Sequence, residues 1–145
     1  MFLEIDEEKV KILSEIVQIS GAKIVLSSTH RSDWRDGPEN FWFSKSKALL
    51  YLFNKYNIEV VGITPYLDNP LGAPREEEIK TYLFQHPEVE SFCIFDDDIK
   101  DLQTLKEYLI KTEFYANEID EGGLQKRHIA EAVKLLSKKR TIFNK

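Results

Sequence analysis

The sequence predicts one α/β domain over residues 1–145, a mostly parallel sheet with helices on both faces, and three observations predict it. Short apolar runs alternate with segments whose apolar residues recur at helical spacing, the pattern of successive strand and crossover-helix units. The runs themselves, such as Lys23-Ile24-Val25-Leu26 and Ser91-Phe92-Cys93-Ile94-Phe95, are apolar almost throughout, as strands covered on both faces are. No repeat, low-complexity segment or linker divides the chain, and 145 residues suffice for one continuous core.

Taken in order, Asp6 can cap a first helix in which Val10, Leu13, Ile16 and Val17 share a face and Glu7 and Glu8 suit the positive end of the dipole. Gly21 stops it, and residues 23–26 form the first strand. Residues 27–40 are polar and contain Gly37-Pro38, so they read as a loop. A second helix covers residues 44–55, with Ala48, Leu49, Leu52 and Phe53 inward and Asn57 at its end; residues 58–63 are the second strand. Three prolines and a glycine make residues 64–74 a loop. A third helix runs over 75–85 and stops before Pro87. The third strand is 91–95, followed by a short helix at 98–107, a strand at 108–112 and a closing helix at 124–138.

Composition excludes several classes. One cysteine, Cys93, permits no internal disulfide, and one Cys with three His does not make a structural zinc site. Cys93, inside an apolar run without neighbouring cations, reads as core and not as a nucleophile. No stretch approaches the roughly 20 apolar residues of a membrane span, and the acidic first ten residues do not resemble a signal peptide, so the expected setting is the cytoplasm, away from membranes. A net charge of -5 argues against a broad nucleic-acid grip; the one basic tail, Ser137-Lys138-Lys139-Arg140, reads first as a solvated helix end. There is no P-loop, dinucleotide fingerprint or nucleophile elbow.

In parallel α/β sheets ligands bind beyond the carboxyl ends of the strands, which selects the polar residues just after each strand. These are Ser27, Ser28 and Thr29, then Thr64, then Asp96, Asp97 and Asp98. Crowded carboxylates raise one another's pKa values, and a divalent cation with a preference for oxygen, Mg2+ above all, relieves the repulsion. The alternative is that Asp98 caps a helix while Asp96 and Asp97 face solvent. Ser27 and Ser28 offer hydroxyls and amides to phosphate oxygens, and Arg31 a bidentate fork. His30 reads as a surface residue. Arg75 starts a helix, where the dipole disfavours a cation, which points it toward an anion elsewhere or toward Glu76 or Glu78. Trp34, Phe41, Trp42 and Phe43 either stack bases or pack the long loop onto the domain.

In sequence, these segments resemble one group. Gly21-Ala22-Lys23-Ile24-Val25-Leu26-Ser27-Ser28-Thr29-His30-Arg31 is similar to its signature Gly-Ala-x-Ile-Val-Leu-Ser-Ser-x-Trp-Arg. Gly62-Ile63-Thr64-Pro65 follows, then Arg75 with Glu78-Ile79, then His86-Pro87-Glu88-Val89-Glu90-Ser91 running into Phe95-Asp96-Asp97-Asp98, and last Gly123-Leu124. The group is the haloacid dehalogenase-like (HAD) hydrolases, and within it the HAD domain of Swiss Army Knife RNA-repair proteins. The resemblance spans roughly residues 6–136 and rests on the ordered set of motifs.

That resemblance implies a three-layer Rossmann-like fold and a Mg2+-dependent phosphohydrolase, in which a first-strand Asp attacks phosphorus and water cleaves the aspartyl-phosphate. Ser27 would bind the phosphoryl group, Arg75 would stand for the usual third-motif Lys, and Asp96 and Asp97 would hold the metal; His30 replaces the usual Trp. The substrate would be a phosphorylated small molecule, a nucleotide or a nucleic-acid end. The first motif, a strand followed by Asp-x-Asp-Gly and a flap, has no full counterpart, so the first central strand is missing or very short. One reading has residues 1–5 serve as that strand, with Asp6 as nucleophile and Glu8 as acid/base, although Glu8 replaces Asp and no Gly follows. Otherwise the flanking strands close up, another chain fills the gap, or the true start lies upstream. The rival readings are a non-catalytic phosphate- or nucleotide-binding or regulatory module, and the product of an N-terminally truncated gene.

Overall fold

The structure is a computed structural model that describes residues 7–27, 33–34, 44–65, 67, 75–96, 100–112 and 124–141. Its elements are α1 (Glu7–Ser20), β1 (Ile24–Leu26), α2 (Ser44–Lys55), β2 (Val60–Ile63), α3 (Arg75–Gln85), β3 (Ile94–Asp96), a 3-10 run (Lys100–Tyr108), β4 (Leu109–Lys111) and α4 (Arg127–Leu136). Helix ends follow local chemistry. Gly21 closes α1 with φ 73°, its amide donating to Val17 O at 2.7 Å, while the Ser20 hydroxyl donates to Ile16 O. Asn57, with φ 57°, closes α2, and the amide of Ile58 reaches back to Phe53 O in a Schellman-type cap.

The strands form two parallel ladders. β1 pairs with β2, Val25 opposite Gly62 and Leu26 opposite Ile63; β3 pairs with β4, Phe95 opposite Ile110 and Asp96 opposite Lys111. Among the described residues no ladder joins β1 to β3, where the sequence predicts a missing or very short central strand. The α/β class with parallel strands is therefore as expected.

Helix α1 serves both ladders. At 100° per residue, Val10 and Leu13 lie on one side of it and Ile12 and Ile16 on the other. The first pair packs with Leu52, Phe53 and Ile58 against Ile24 and Val60 of the β1–β2 ladder. The second packs with Ile110 and Ala132 against Phe95 of the β3–β4 ladder and Cys93 just before it. A single inward face of Val10, Leu13, Ile16 and Val17 is therefore corrected: Ile12 is buried and Val17 only half-buried.

The β3–β4 ladder is the middle of three layers. Phe92, Ile94 and Leu109 meet Ile79 and Leu83 of α3 and Leu102, Leu105 and Tyr108 of the 3-10 run. Cys93, Phe95 and Ile110 face α1 and α4 on the other side. Alternate residues thus enter opposite layers, the reason the strand is apolar throughout.

Three boundaries shift for physical reasons. β3 begins at Ile94 rather than 91, because Glu90 O accepts the amide of Arg140 and the Ser91 hydroxyl donates to Leu136 O. The helix expected at 98–107 is instead a series of 3-10 turns broken at Leu102 (φ -128°) and Leu105 (φ -109°), where the backbone leaves helical values and both side chains are fully buried. α4 starts at Arg127, after a turn in which Gln125 N donates to the buried His128 Nδ1 at 2.8 Å. The solvated-tail reading of 137–140 also needs correction at one residue. Arg140 is 4% exposed, and its Nη2 donates to Leu83 O and His86 O, capping the carbonyl end of α3.

At Gly62 of β2 the helix α3 comes close to the strand. A Cβ there would lie 2.9 Å from the hydroxyl and 3.3 Å from a ring carbon of Tyr82 on α3. The ring cannot swing aside, because it is buried and stacked on His86 with 4.1 Å between centroids. Gly62→Ala is expected to cost about 1–3 kcal/mol by overpacking, read as a lower urea midpoint at unchanged slope.

Candidate functional site

Parallel pairing brings the polar ends of each ladder together. Ser27 follows β1 and Thr64 follows β2, with Thr64 N donating to Leu26 O at 2.9 Å. Asp96 ends β3 and Thr112 follows β4, with Thr112 N donating to Asp96 O at 2.9 Å. Thr64, Asp96 and Thr112 are all buried, unusual for polar side chains and costly without partners. Thr112 was not among the sequence candidates because the strand expected at 108–112 contained it; with β4 ending at Lys111 the same strand-end rule points to it.

Arg75, the first residue of α3, forms an ion pair with Asp96, Nη1 donating to Oδ2. The Asp96 side chain is 5% exposed and that of Arg75 37%. The cation that the dipole disfavours at a helix start is therefore matched by a buried carboxylate on another element. The acidic neighbours of Arg75 have their own donors: Glu76 Oε1 accepts Thr104 N at 2.5 Å and Glu78 Oε2 accepts Leu67 N at 3.3 Å. Arg75 comes after β2 in the chain yet reaches the tip of β3, so the pair fastens the start of α3 to that strand tip.

Ser27 is half-buried at its strand tip. Asp6, Ser28, Arg31, Asp97 and Asp98 lie outside the described residues, as do His30, Phe41, Trp42 and Phe43. The neighbour of Asp6, however, is well placed. The Glu7 carboxylate accepts from Lys55 Nζ at 2.7 Å and from the Tyr56 hydroxyl at 2.5 Å. Those hydrogen bonds, from Lys55 first and Tyr56 second, hold its pKa below the usual carboxylate range. Lys55 and Tyr56 precede β2, so they tie the start of α1 to the amino-end side of that strand, opposite the tips that carry Thr64 and Ser27.

Burial, and secondarily the charge of Glu131, pushes the Cys93 thiol up to about 12, which keeps it protonated and unreactive near neutral pH. Among the described residues no three His, Cys, Asp or Glu side chains converge as a metal cluster. Asp96 is nevertheless the right kind of donor for a hard cation, an oxygen ligand at a strand tip with a second carboxylate, Asp97, next in sequence. No described helix is long and apolar enough to cross a membrane.

The profile of one protein family, described as the HAD domain in Swiss Army Knife RNA repair proteins, matches residues 3–120. No curated protein and no solved structure matches the chain. HAD domains generally use Mg2+. The matched region contains the four described strands and the Arg75–Asp96 pair and leaves α4 outside it. With parallel strands, buried polar tips and a match over most of its length, the chain belongs to the family of HAD domains found in Swiss Army Knife RNA repair proteins, a hydrolase- and phosphatase-related module.

Proposed function

We propose that this chain is a Mg2+-dependent phosphohydrolase module that takes a phosphomonoester, on a nucleotide or at a nucleic-acid end, at the tips of its parallel strands. The observation that carries the reading is the buried Asp96 carboxylate held by Arg75 where β3 ends. Asp96, with Asp97, would hold Mg2+, which when bound screens phosphate charge and positions the ester. The Arg75 guanidinium has the planar fork that pairs with phosphate oxygens and would steady the charge that develops on them. Ser27, Ser28 and Arg31 would bind the remaining phosphoryl oxygens from the tip of β1. Asp6 would be the nucleophile: its carboxylate oxygen bonds phosphorus as the ester oxygen leaves with the electron pair, and water later cleaves the acyl phosphate. The single free thiol, Cys93, suits a reducing cytoplasm, which we take as the setting.

A second reading, phosphate or nucleotide binding without turnover, is favoured by the anchoring of Glu7 to Lys55 and Tyr56 on the side of the β1–β2 ladder away from Ser27. One experiment separates the two. Purified protein is assayed for hydrolysis of p-nitrophenyl phosphate with and without Mg2+. The phosphatase reading expects Mg2+-dependent release of nitrophenolate, reduced at least a hundredfold by Asp96→Asn and by Asp6→Asn. Binding of Mg2+ or a nucleotide by calorimetry, with no turnover, selects the second reading. Turnover that survives Asp96→Asn rejects the assignment of this site.

A further inference from the structure

The segment His86-Pro87-Glu88-Val89-Glu90, which the phosphatase reading leaves unused, meets a buried cation at the end of α3. Arg140 arrives from beyond α4 and is 4% exposed. Its backbone amide donates to Glu90 O at 2.7 Å, and its Nη2 to Leu83 O at 3.3 Å and His86 O at 3.4 Å. All three acceptors are uncharged carbonyls. The other terminal nitrogen, Nη1, is buried and has no hydrogen-bond partner among the described residues. A guanidinium keeps its charge throughout, and a buried N–H left unpaired is costly.

A carboxylate that suits Nη1 stands near but is engaged elsewhere. Glu88 Oε2 accepts from His86 Nδ1 at 2.8 Å. Its own backbone amide first, then the His86 bond, and then, against a contribution from burial, the charges of His86 and Arg140 hold Glu88 below the usual carboxylate range. Glu88 therefore lies in the field of two cations and is bonded to one. Of the three side chains, the carboxylate is the one able to move. Arg140 is fixed by its carbonyl bonds. The His86 ring lies on the buried Tyr82, with 4.1 Å between centroids and 20° between planes. The Glu88 side chain is 70% exposed.

We infer that Glu88 is a two-position carboxylate: charged His86 holds it outward, and loss of the imidazole proton lets it turn onto Arg140 Nη1, so the joint between the end of α3 and the segment after α4 tightens as pH rises. Relative bond strengths set that direction. A hydrogen bond between ions is about twice as strong as one between neutral groups. Charged His86 offers such a bond at the surface, without burying the carboxylate. Neutral His86 keeps only an N–H, whereas Arg140 remains a cation with an unsatisfied nitrogen. The imidazole is also the one side chain at the joint whose ordinary titration falls between pH 5 and pH 8. The others are Tyr82 on α3, whose hydroxyl is pushed up by burial and by the Glu88 charge, Tyr108 of the 3-10 run, bonded to Thr141, and the exposed Glu90, Lys138 and Lys139. The inference goes beyond the phosphatase reading and does not rest on Asp96 or Arg75.

The test is 15N NMR of the full chain at pH 5 and pH 8, which bracket the titration of an imidazole. It reads rotation about the Cζ–Nη1 bond of Arg140 together with the ring signals of His86. Rotation is expected to slow at least tenfold at pH 8, in step with loss of the His86 proton. Glu88→Gln, at an exposed position, is expected to leave rotation fast at both pH values. His86→Gln, uncharged throughout, is expected to make it slow at both. Equal rotation at the two pH values in the wild type overturns the inference, since Nη1 then has one fixed environment. A pH change that survives Glu88→Gln overturns it too, as does fast rotation at both pH values in His86→Gln. Every readout is taken without substrate or metal, so the phosphatase reading stands or falls separately.

Discussion

Arg75→Met is expected to lower the free energy of unfolding by about 2–3 kcal/mol, read from urea denaturation as a fallen midpoint at constant slope. Methionine keeps much of the aliphatic stem and removes the charge that faces Asp96. The Asp96 side chain is 5% exposed, so its carboxylate would be left in a site that water barely enters. Breaking one side of a fully buried pair costs roughly 3–5 kcal/mol. The lower figure follows because 37% of the Arg75 side chain is exposed and solvent can take part of its place. Asp96→Asn removes the complementary charge while keeping an acceptor for Arg75, so the double variant should recover part of the loss. A coupling energy on the order of 1–2 kcal/mol in the double-mutant cycle is the expected signature. If Arg75→Met unfolds like wild type, the pair does not hold α3 to the tip of β3.

Much of that arrangement was legible from residue types. The bounds of α2 and α3 follow from apolar periodicity with Asn57 and Pro87 as stops, and the structure places them at Ser44–Lys55 and Arg75–Gln85. Arg75 was conspicuous as a cation at a helix start, and the sheet rule singled out Asp96. What local pattern could not supply was pairing across the chain. The burial of Ile12 depends on a second ladder behind α1, which periodicity within one helix does not reveal. The capping of α3 by Arg140 joins residues more than fifty positions apart, so its sequence neighbours Lys138 and Lys139 gave the wrong impression of a solvated residue. The same holds for Glu7, whose partners Lys55 and Tyr56 decide at which end of the β1–β2 ladder the first helix begins. Asp6 reads first as a helix cap and second as a nucleophile, and local sequence says nothing of the contact that fixes its neighbour Glu7, which lies forty-eight residues away.

Leu105→Ala is expected to cost about 3–4 kcal/mol, the largest effect of any truncation in the layer between α3 and the β3–β4 ladder. Leu105 is 0% exposed and packs in the cluster of Ile79, Leu83, Leu102 and Tyr108. Its neighbours have little freedom to close the cavity. Leu102 is likewise 0% exposed, and Tyr108 is stacked on Phe92 with 4.2 Å between centroids and bonded through its hydroxyl to Thr141. These side chains share one buried cluster, so removing Leu105 leaves a gap that a rotamer change of a neighbour does not fill. The 3-10 run also connects the tip of β3 to β4, so slack at Leu105 should reach Asp96. Under the proposed phosphatase reading, turnover of p-nitrophenyl phosphate is thus expected to fall along with stability. A variant that lost stability yet kept full turnover would show that Arg75 and the amide of Thr112 are enough to hold the Asp96 tip in place.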